Sequence, residues 1–360
     1  MRTWRQAARI GVVVHGPEVV DSGSALKLME YLERFGSVRA VLGGTMGRLA
    51  VLDAGLKDTI SLSNRRRPSE AIRELEASSD VLFLLNMAKS RETGLLFGSM
   101  VAAAASPSRP LIQIDCGGGF VAVLSGGAED LAERVASDLS LELLTPPDLP
   151  GPIMEGEEVR RTLRGAVPGE PVSVDGRVIG RAEGSLVEIV ARGGRIVEVR
   201  GAEPKPHGLE RLQGVDLERA ILRSGRIRRT TAPPRIQECQ GTGAALIDHC
   251  AEEAFEAAEG ACTVVTVGDD TTEIASEIMS RLGARIIGIV DGDADHLMEV
   301  GTAPRGSVII TVMPGTDDLV GARVREEIFH GGGRASISAE ELEKRVLEIA
   351  GDRVVGVKRL

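Results

Sequence analysis

Ile10-Gly-Val-Val-Val14 is followed, after a loop, by Ser24-Ala-Leu-Lys-Leu-Met-Glu-Tyr-Leu-Glu-Arg-Phe35, and this pair decides the fold class. The first stretch is a short β-branched run, as expected of a strand buried on both faces. The second carries Leu26, Met29 and Leu32 at three-residue spacing and meets a stop at Gly36, which predicts a helix. The alternation continues. Strands are expected at Val38–Leu42, Thr59–Leu62, Val81–Leu85, Leu111–Ile114 and Val121–Leu124. Helices are expected at Thr45–Ala54, Pro68–Ala77, Glu92–Ala105 and Ala128–Leu139. Such a rhythm predicts a doubly wound, mostly parallel α/β sheet.

After residue 148 the pattern changes. Glu170–Gly176, Arg177–Gly180, Leu186–Val190 and Arg195–Arg200 read as short strands, with Asp175-Gly176 and Gly193-Gly194 as turns. This predicts a small antiparallel β domain, closed by a short helix near Asp216–Ser224. Helix-strand alternation then returns. The expected elements are a helix over Ala244–Ala258, a strand Thr263–Val267, a helix Thr271–Leu282, a strand Arg285–Val290, and a helix near Asp295–Val300. They continue with a strand Ser307–Val312, helices Leu319–Phe329 and Ala339–Ile349, and a strand Val354–Val357. Pro-rich stretches at Thr145–Pro152 and Thr230–Arg235 mark the boundaries. The predicted domains are therefore a Rossmann-like α/β domain at 1–148, a β domain at 149–232 and a second α/β domain at 233–360.

The chain has 360 residues, 42 % hydrophobic and 27 % charged, which excludes a disordered chain. Aromatics are only 2 %, so the core is aliphatic and base-stacking platforms for single-stranded nucleic acid are disfavoured. A net charge of −10 disfavours a phosphate-backbone binder. The acidity is uneven. Residues 233–360 hold 12 basic and 23 acidic side chains, a net of −11, which leaves 31 basic against 30 acidic elsewhere. No apolar run approaches the roughly 18 residues of a membrane span, and the first residues lead straight into a strand, so a cytoplasmic protein is expected. Only six of the 43 basic residues are Lys and only two residues are Asn, which suits a thermophile. The four cysteines, Cys116, Cys239, Cys250 and Cys262, form no C-x-x-C pair and are expected to be reduced thiols. A soft-metal site joining His249 and Cys250 to Cys239 and Cys262 is the alternative.

Three acidic clusters follow three expected strands. Val264-Val-Thr-Val-Gly-Asp269-Asp270-Thr271-Thr272 ends one, and Ile286-Ile-Gly-Ile-Val-Asp291-Gly-Asp293-Ala-Asp295 ends the next. Val308-Ile-Ile-Thr-Val-Met-Pro-Gly-Thr-Asp317-Asp318 ends the third. Carboxyl ends of parallel strands share the ligand-binding edge of an open sheet. So many carboxylates repel unless a cation neutralises them, and oxygen ligands favour Mg²⁺ or Mn²⁺, which would hold phosphate oxygens. The proposed metal ligands are Asp269, Asp270, Asp291, Asp293, Asp317 and Asp318, with Thr271 and Thr272 as donors to the substrate. The competing reading is helix capping. Asp270-Thr-Thr-Glu273 has capping-box spacing, and Asp317 or Asp318 can cap the next helix. Ile-Val-Asp291-Gly-Asp293 also resembles the D-x-D of Toprim domains, but Gly268-Asp269 stands where that domain carries its catalytic Glu.

A second candidate edge lies at the first strands. His15-Gly-Pro-Glu18, Gly43-Gly44-Thr45-Met46-Gly47-Arg48, Lys89-Ser90-Arg91 and Asp115-Cys116-Gly117-Gly118-Gly119 each follow a strand. Glycines admit an anion to the backbone, and Arg48, Lys89 and Arg91 supply countercharge. The expected phosphate or ligand contacts are His15, Glu18, Gly43, Gly44, Thr45, Arg48, Lys89 and Ser90; tight turns and ordinary caps are the plain alternative. Neither G-x-G-x-x-G nor G-x-x-x-x-G-K-[ST] is present. His207, in Lys205-Pro-His-Gly-Leu-Glu210, is a candidate base or anion contact.

His15-Gly-Pro-Glu18-Val-Val-Asp-Ser-Gly23, Leu42–Arg48, Ala88-Lys-Ser-Arg-Glu-Thr-Gly94, Lys205–Glu210 and Val267–Thr272 together resemble an archaeal family, found largely in methanogens and known only as a domain of unknown function. The resemblance covers nearly the whole chain. It implies an archaeal cytoplasmic protein connected with cofactor chemistry, and assigns no catalytic residue. Two functions follow from the residues. One is a Mg²⁺-dependent phosphoryl- or nucleotidyl-transfer enzyme acting on a small anionic molecule. The other is a non-catalytic nucleotide- or cofactor-binding or assembly protein. The expected partners are that small anion and a second copy of the chain, without membrane or nucleic acid.

Overall fold

The computed structural model describes residues 8–44, 47–62, 66–148, 153–175, 177–210, 212, 214–225, 236, 238–239, 241–249, 254–292 and 303–360. The chain divides into two compact units, Met1–Pro233 and Pro234–Leu360.

The first unit begins with β1 (Ala8–His15), α1 (Pro17–Asp21), α2 (Ser24–Leu32), β2 (Gly36–Leu42), α3 (Arg48–Asp53), β3 (Ile60–Ser61) and α4 (Pro68–Glu76). It continues with β4 (Val81–Asn86), α5 (Arg91–Ala105), β5 (Leu111–Asp115), β6 (Phe120–Ser125), α6 (Glu129–Leu139) and β7 (Glu142–Leu144). Seven strands form one sheet in the order β3-β2-β1-β4-β5-β6-β7, parallel except where β5 meets β6. Strand alternation supplies two cores. Val12, Val14, Phe83 and Leu85 pack with Leu28 and Leu32 of α2 and Leu131 and Val135 of α6. Val13, Leu82 and Leu84 face the other way, onto Ile72 and Leu75 of α4 and Val101 of α5. The doubly wound expectation is met because β1 and β4 are apolar at successive positions, as burial on both faces requires.

The remainder of this unit holds β8 (Ile153–Glu155), β9 (Glu158–Arg164), β10 (Pro171–Val174), β11 (Arg177–Ala182), β12 (Leu186–Arg192), β13 (Arg195–Arg200), β14 (Ala202–Pro204), α7 (Pro206–Glu210) and β15 (Leu222–Ser224). They form two four-stranded antiparallel sheets, β14-β11-β10-β15 and β13-β12-β9-β8, around Val172, Val174, Ile179, Val187 and Ile189. The helix expected near Asp216–Ser224 is a turn leading into β15 instead. Arg161 explains the preference: its guanidinium donates to the carbonyl oxygens of Leu217 at 3.1 Å and Ala220 at 2.7 Å, groups that a helix would use internally.

The second unit contains β16 (Gly243–Asp248), α8 (Ala254–Ala258), β17 (Ala261–Val267), α9 (Asp269–Leu282), β18 (Arg285–Val290), β19 (Val308–Val312), α10 (Asp317–Glu327), β20 (Arg334–Ala335), α11 (Ala339–Ala350) and β21 (Val354–Arg359). The sheet order is β20-β16-β17-β18-β19-β21, with β16 to β19 parallel and the two edge strands antiparallel. Here the expected helix over Ala244–Ala258 is corrected. Its first part is strand β16, whose Ala244, Ala245 and Ile247 are buried, and the described helix is confined to Ala254–Ala258. Alanine's helix propensity is a weak prior, overridden by pairing with β17 and β20. The helix expected near Asp295–Val300 and both Pro-rich boundary stretches lie wholly or partly outside the described residues.

The reading of four reduced thiols is also corrected. Cys239 and Cys262 form a disulfide across Cα atoms 5.7 Å apart, while Cys116 is free and partly buried. Cys262 opens β17 beside the segment that carries Cys239, a proximity that linear spacing does not reveal. Those two sulfurs are therefore not thiolate ligands in the alternative soft-metal site. Cys250 lies outside the described residues. Among the described residues no helix is long and apolar enough to cross a membrane.

Candidate functional site

In the second unit the parallel strands β16, β17 and β18 end in register. Asp248 aligns with Val267, and Val267 with Ile289. The residues just past these ends therefore share one edge. Asp248 and His249 stand there, followed across the sheet by Gly268-Asp269 and Asp291. His249 has a left-handed backbone, φ 51°, a conformation histidine adopts more readily than most residues. Its ring lies against Gly268, where a Cβ would come 2.7 Å from the ring, and Gly268 itself sits at φ 94°. Glycine is required there on both counts.

The ring reaches Asp318 of α10, with Nε2 2.5 Å from Oδ1, and lies 3.6 Å from Oδ1 of Asp248. One ligand atom each from Asp248, His249 and Asp318 lies within 4.8 Å of the others. Asp248 is oriented from behind, since its Oδ2 accepts a hydrogen bond from Arg325 at 2.9 Å. Such an outer partner fixes a carboxylate that presents its other oxygen to a ligand.

The aspartates of the sequence motifs flank this cluster. Asp269 Oδ2 accepts from the Asp291 amide at 3.2 Å, and Asp291 Oδ2 accepts from the Gly315 amide at 2.7 Å. Asp291 is 8 % exposed and Asp317 only 4 %. Burial, then the charges of Asp291 and Asp318, raise the Asp317 pKa from its ordinary value. The capping alternative is not what forms. Gly268 is the N-cap of α9 and Thr316 that of α10, neither with a side-chain cap, and the aspartates fall within the first turns. Thr272 is fully buried, and its hydroxyl donates to the Gly268 carbonyl at 2.8 Å and contacts Thr266. Thr271 is buried at 6 % exposure. Asp293 lies outside the described residues, as does the side chain of Asp270.

In the first unit a polar row crosses three strand ends. His15 aligns with Asn86 across β4, and Asn86 with Asp115 across β5. Asp115 is fully buried and accepts from Asn86 Nδ2 at 2.5 Å, the Gly118 amide at 2.7 Å and the Ala88 amide at 3.2 Å. Burial still raises its pKa, against these donors. Gln113 donates to Asn86 Oδ1 and to the Gly94 carbonyl, both at 2.9 Å. This network holds the loops that follow β4 and β5.

Two basic or polar residues singled out as phosphate contacts have other tasks. Lys89 Nζ pairs with Glu170 at 2.5 Å and donates to the Ser224 carbonyl at 3.3 Å. Ser90 caps α5, accepting from the Thr93 amide at 3.3 Å. Arg48 is buried, at 5 % exposure. Gly43 and Gly44 follow β2. A Cβ on Gly43 would come within 2.9 Å of both Val13 and Pro68. Glu18, in α1, is partly buried beside Gly16. Thr45 and the side chain of His207 lie outside the described residues.

Sequence reasoning did not place Asp248 at this edge and tied His249 to cysteines. The signal was present: Ala244-Ala-Leu-Ile-Asp248 repeats the pattern of an apolar run ending in Asp that recurs at Asp269 and Asp291.

A family model described as an uncharacterized protein conserved in archaea matches residues 12–332. An uncharacterized protein of Methanocaldococcus jannaschii is 38 % identical over 327 residues, covering 87 % of this chain and 89 % of its own. The chain belongs to this archaeal family.

Proposed function

We propose that this member of the archaeal family is a divalent-cation-dependent enzyme that performs phosphoryl or nucleotidyl transfer on a small anionic molecule at the C-terminal edge of its second sheet. The observation that carries the reading is the convergence of Asp248, His249 and Asp318 on one point. The residues suit a cation. Two carboxylates and an imidazole are all ligand types, and ligand atoms around a first-row cation stand roughly 3–4 Å apart given bonds of ~2.1 Å. The imidazole moves the expected ion from Mg²⁺ toward Mn²⁺ or a similar first-row ion. Asp248, His249 and Asp318 would hold it, with Asp269, Asp291 and Asp317 compensated by its charge. The ion supplies a Lewis acid for a phosphoryl oxygen. The chain's own part is to fix the ligands through Arg325 and Gly268 and to seat the ion beside buried carboxylates. A cytoplasmic setting fits this reading. The Cys239–Cys262 disulfide does not oppose it, because intracellular proteins of hyperthermophilic archaea carry disulfides.

The test is Mn²⁺ titration calorimetry on the wild type, His249→Asn and Asp318→Asn. Asparagine tolerates the left-handed backbone at 249, so the first variant removes the imidazole without straining the chain. Each variant is expected to bind Mn²⁺ at least about tenfold more weakly, in line with the loss of one coordinating group. Binding in the millimolar range or weaker for all three proteins, without difference, would sink the metal site. Tight Mn²⁺ binding without phosphate release or nucleotidyl transfer would favour the non-catalytic binding reading.

A further inference from the structure

We propose that the C-terminal edge of the first sheet binds a small phosphorylated molecule that donates a hydrogen bond, from an O–H or N–H group, to Nε2 of His15. Its residues belong to the first unit, whereas the residues of the proposed metal edge belong to the second.

Backbone geometry fixes the chemistry of this imidazole. Its Nδ1 lies 2.7 Å from the Gly43 carbonyl oxygen. A carbonyl only accepts, so Nδ1 carries the hydrogen and Nε2 presents a lone pair. The ring is held flat on Phe97, centroids 4.5 Å apart and planes 21° apart. His15 is thus clamped on one edge and one face, and its remaining polar atom is an acceptor. Among the described residues no hydrogen-bond donor to that atom is found. Burial, reinforced by the positive charge of Arg223 and opposed by the Gly43 bond and Glu18, pushes the His15 pKa down to about 4. The acceptor therefore persists at neutral pH.

Location and charge define the ligand class. The strand order places β1 between β2 and β4, and the connections from β1 and β4 leave on opposite sides. Such a switch point is where open α/β sheets bind ligands, and it is the reason to call this unit Rossmann-like. The other polar groups of the row are engaged with one another, as are Lys89 and Ser90 with their own partners. Arg223 stands on β15, whose neighbouring Ser224 carbonyl is anchored by Lys89. It brings a cation into electrostatic reach of His15. An acceptor beside a cation recognises a molecule with a donor group a few bonds from an anion. A nucleoside monophosphate, with ribose hydroxyls next to phosphate, has that arrangement.

The probe is AMP, titrated into the full chain labelled with ¹⁵N-histidine. Before addition His15 should show the Nδ1–H tautomer. AMP should shift its Nε2 resonance, while inorganic phosphate, lacking the nucleoside, should bind about tenfold more weakly or less. His15→Asn separates structure from binding. Its side-chain amide can still donate to the Gly43 carbonyl, but nothing replaces Nε2. The variant should keep the melting temperature and lose about tenfold in AMP affinity, the value of one hydrogen bond. Arg223→Gln should also weaken AMP. No AMP-dependent change at the His15 ring nitrogens at roughly 10 mM, a concentration that detects dissociation constants into the millimolar range, would overturn the proposal. So would undiminished AMP affinity in His15→Asn, or phosphate binding as strong as AMP. The wild-type titration decides the matter alone should either variant fail to fold.

Discussion

His15 is the residue whose burial has the clearest solution consequence. Its pKa falls to about 4 in the folded chain, from an ordinary value near 6.5. The unfolded chain therefore binds a proton between these two values and the folded chain does not. Stability contributed by the neutral ring is full above pH ~6.5, falls as pH drops toward 4, and stops changing below that. Between pH 7 and pH 5 the loss is at most about 2 kcal/mol. The measurement is hydrogen exchange of the β1 amides at the two pH values in wild type and His15→Asn, without ligand. The wild type should lose protection that the variant keeps. Equal loss in both would show that another group carries the pH response. Histidine at this position was legible from the sequence as a residue past a strand end. Its tautomer was not, because that depends on Gly43, 28 residues away, turning its carbonyl toward the ring.

At the level of elements, legibility follows the strength of the local pattern. Strands such as Val81–Asn86 are apolar at nearly every position, and only burial on both faces accommodates that. β16 was lost because Ala-Ala-Leu-Ile is equally at home in a helix, and the partners that make it a strand, β17 and β20, are supplied by the fold. That one misreading removed Asp248 and His249 from the expected site, since residues inside a helix do not lie at a sheet edge. The short edge strands β8 and β15 were hidden for a similar reason: at three residues each, their sequences are too brief to announce pairing. The disulfide is likewise a tertiary fact. It closes a loop with a sequence separation of 23, for which chain-entropy arguments give about 3 kcal/mol. Reduction with a strong thiol, or a Cys239→Ser substitution, should therefore lower the melting temperature of the second unit. Cys116→Ser, which touches no disulfide, should not. An unchanged transition after verified reduction would mean that the bond adds nothing beyond the contacts around it.

For the whole molecule the decisive quantity is the distribution of charge. Residues 233–360 carry a net of −11, while the remainder is nearly balanced. Part of this acidity is solvated surface, such as the Arg323–Glu327 and Lys344–Glu348 pairs on exposed helix faces, worth little individually. The part that matters is Asp291 and Asp317, buried within electrostatic reach of each other, with Asp248 and Asp318 around His249. Removing like charges from water and placing them side by side is unfavourable, and a bound divalent cation relieves both terms at once. Ligand linkage then sets the size of the effect. Mn²⁺ at about a hundred times its dissociation constant stabilises the state that binds it by about 2.7 kcal/mol. Amides that exchange through opening of the second unit should slow about a hundredfold, those of β16 to β19 among them. Amides of the first unit should be unchanged, because none of the proposed ligands lies there. Sodium chloride at matched ionic strength tests the alternative, in which screening alone relieves the repulsion. Protection spread equally over both units, or reproduced by sodium, would leave the acidic edge as a solvated surface. Protection confined to the second unit and abolished in Asp318→Asn would tie the charge excess to one cation site.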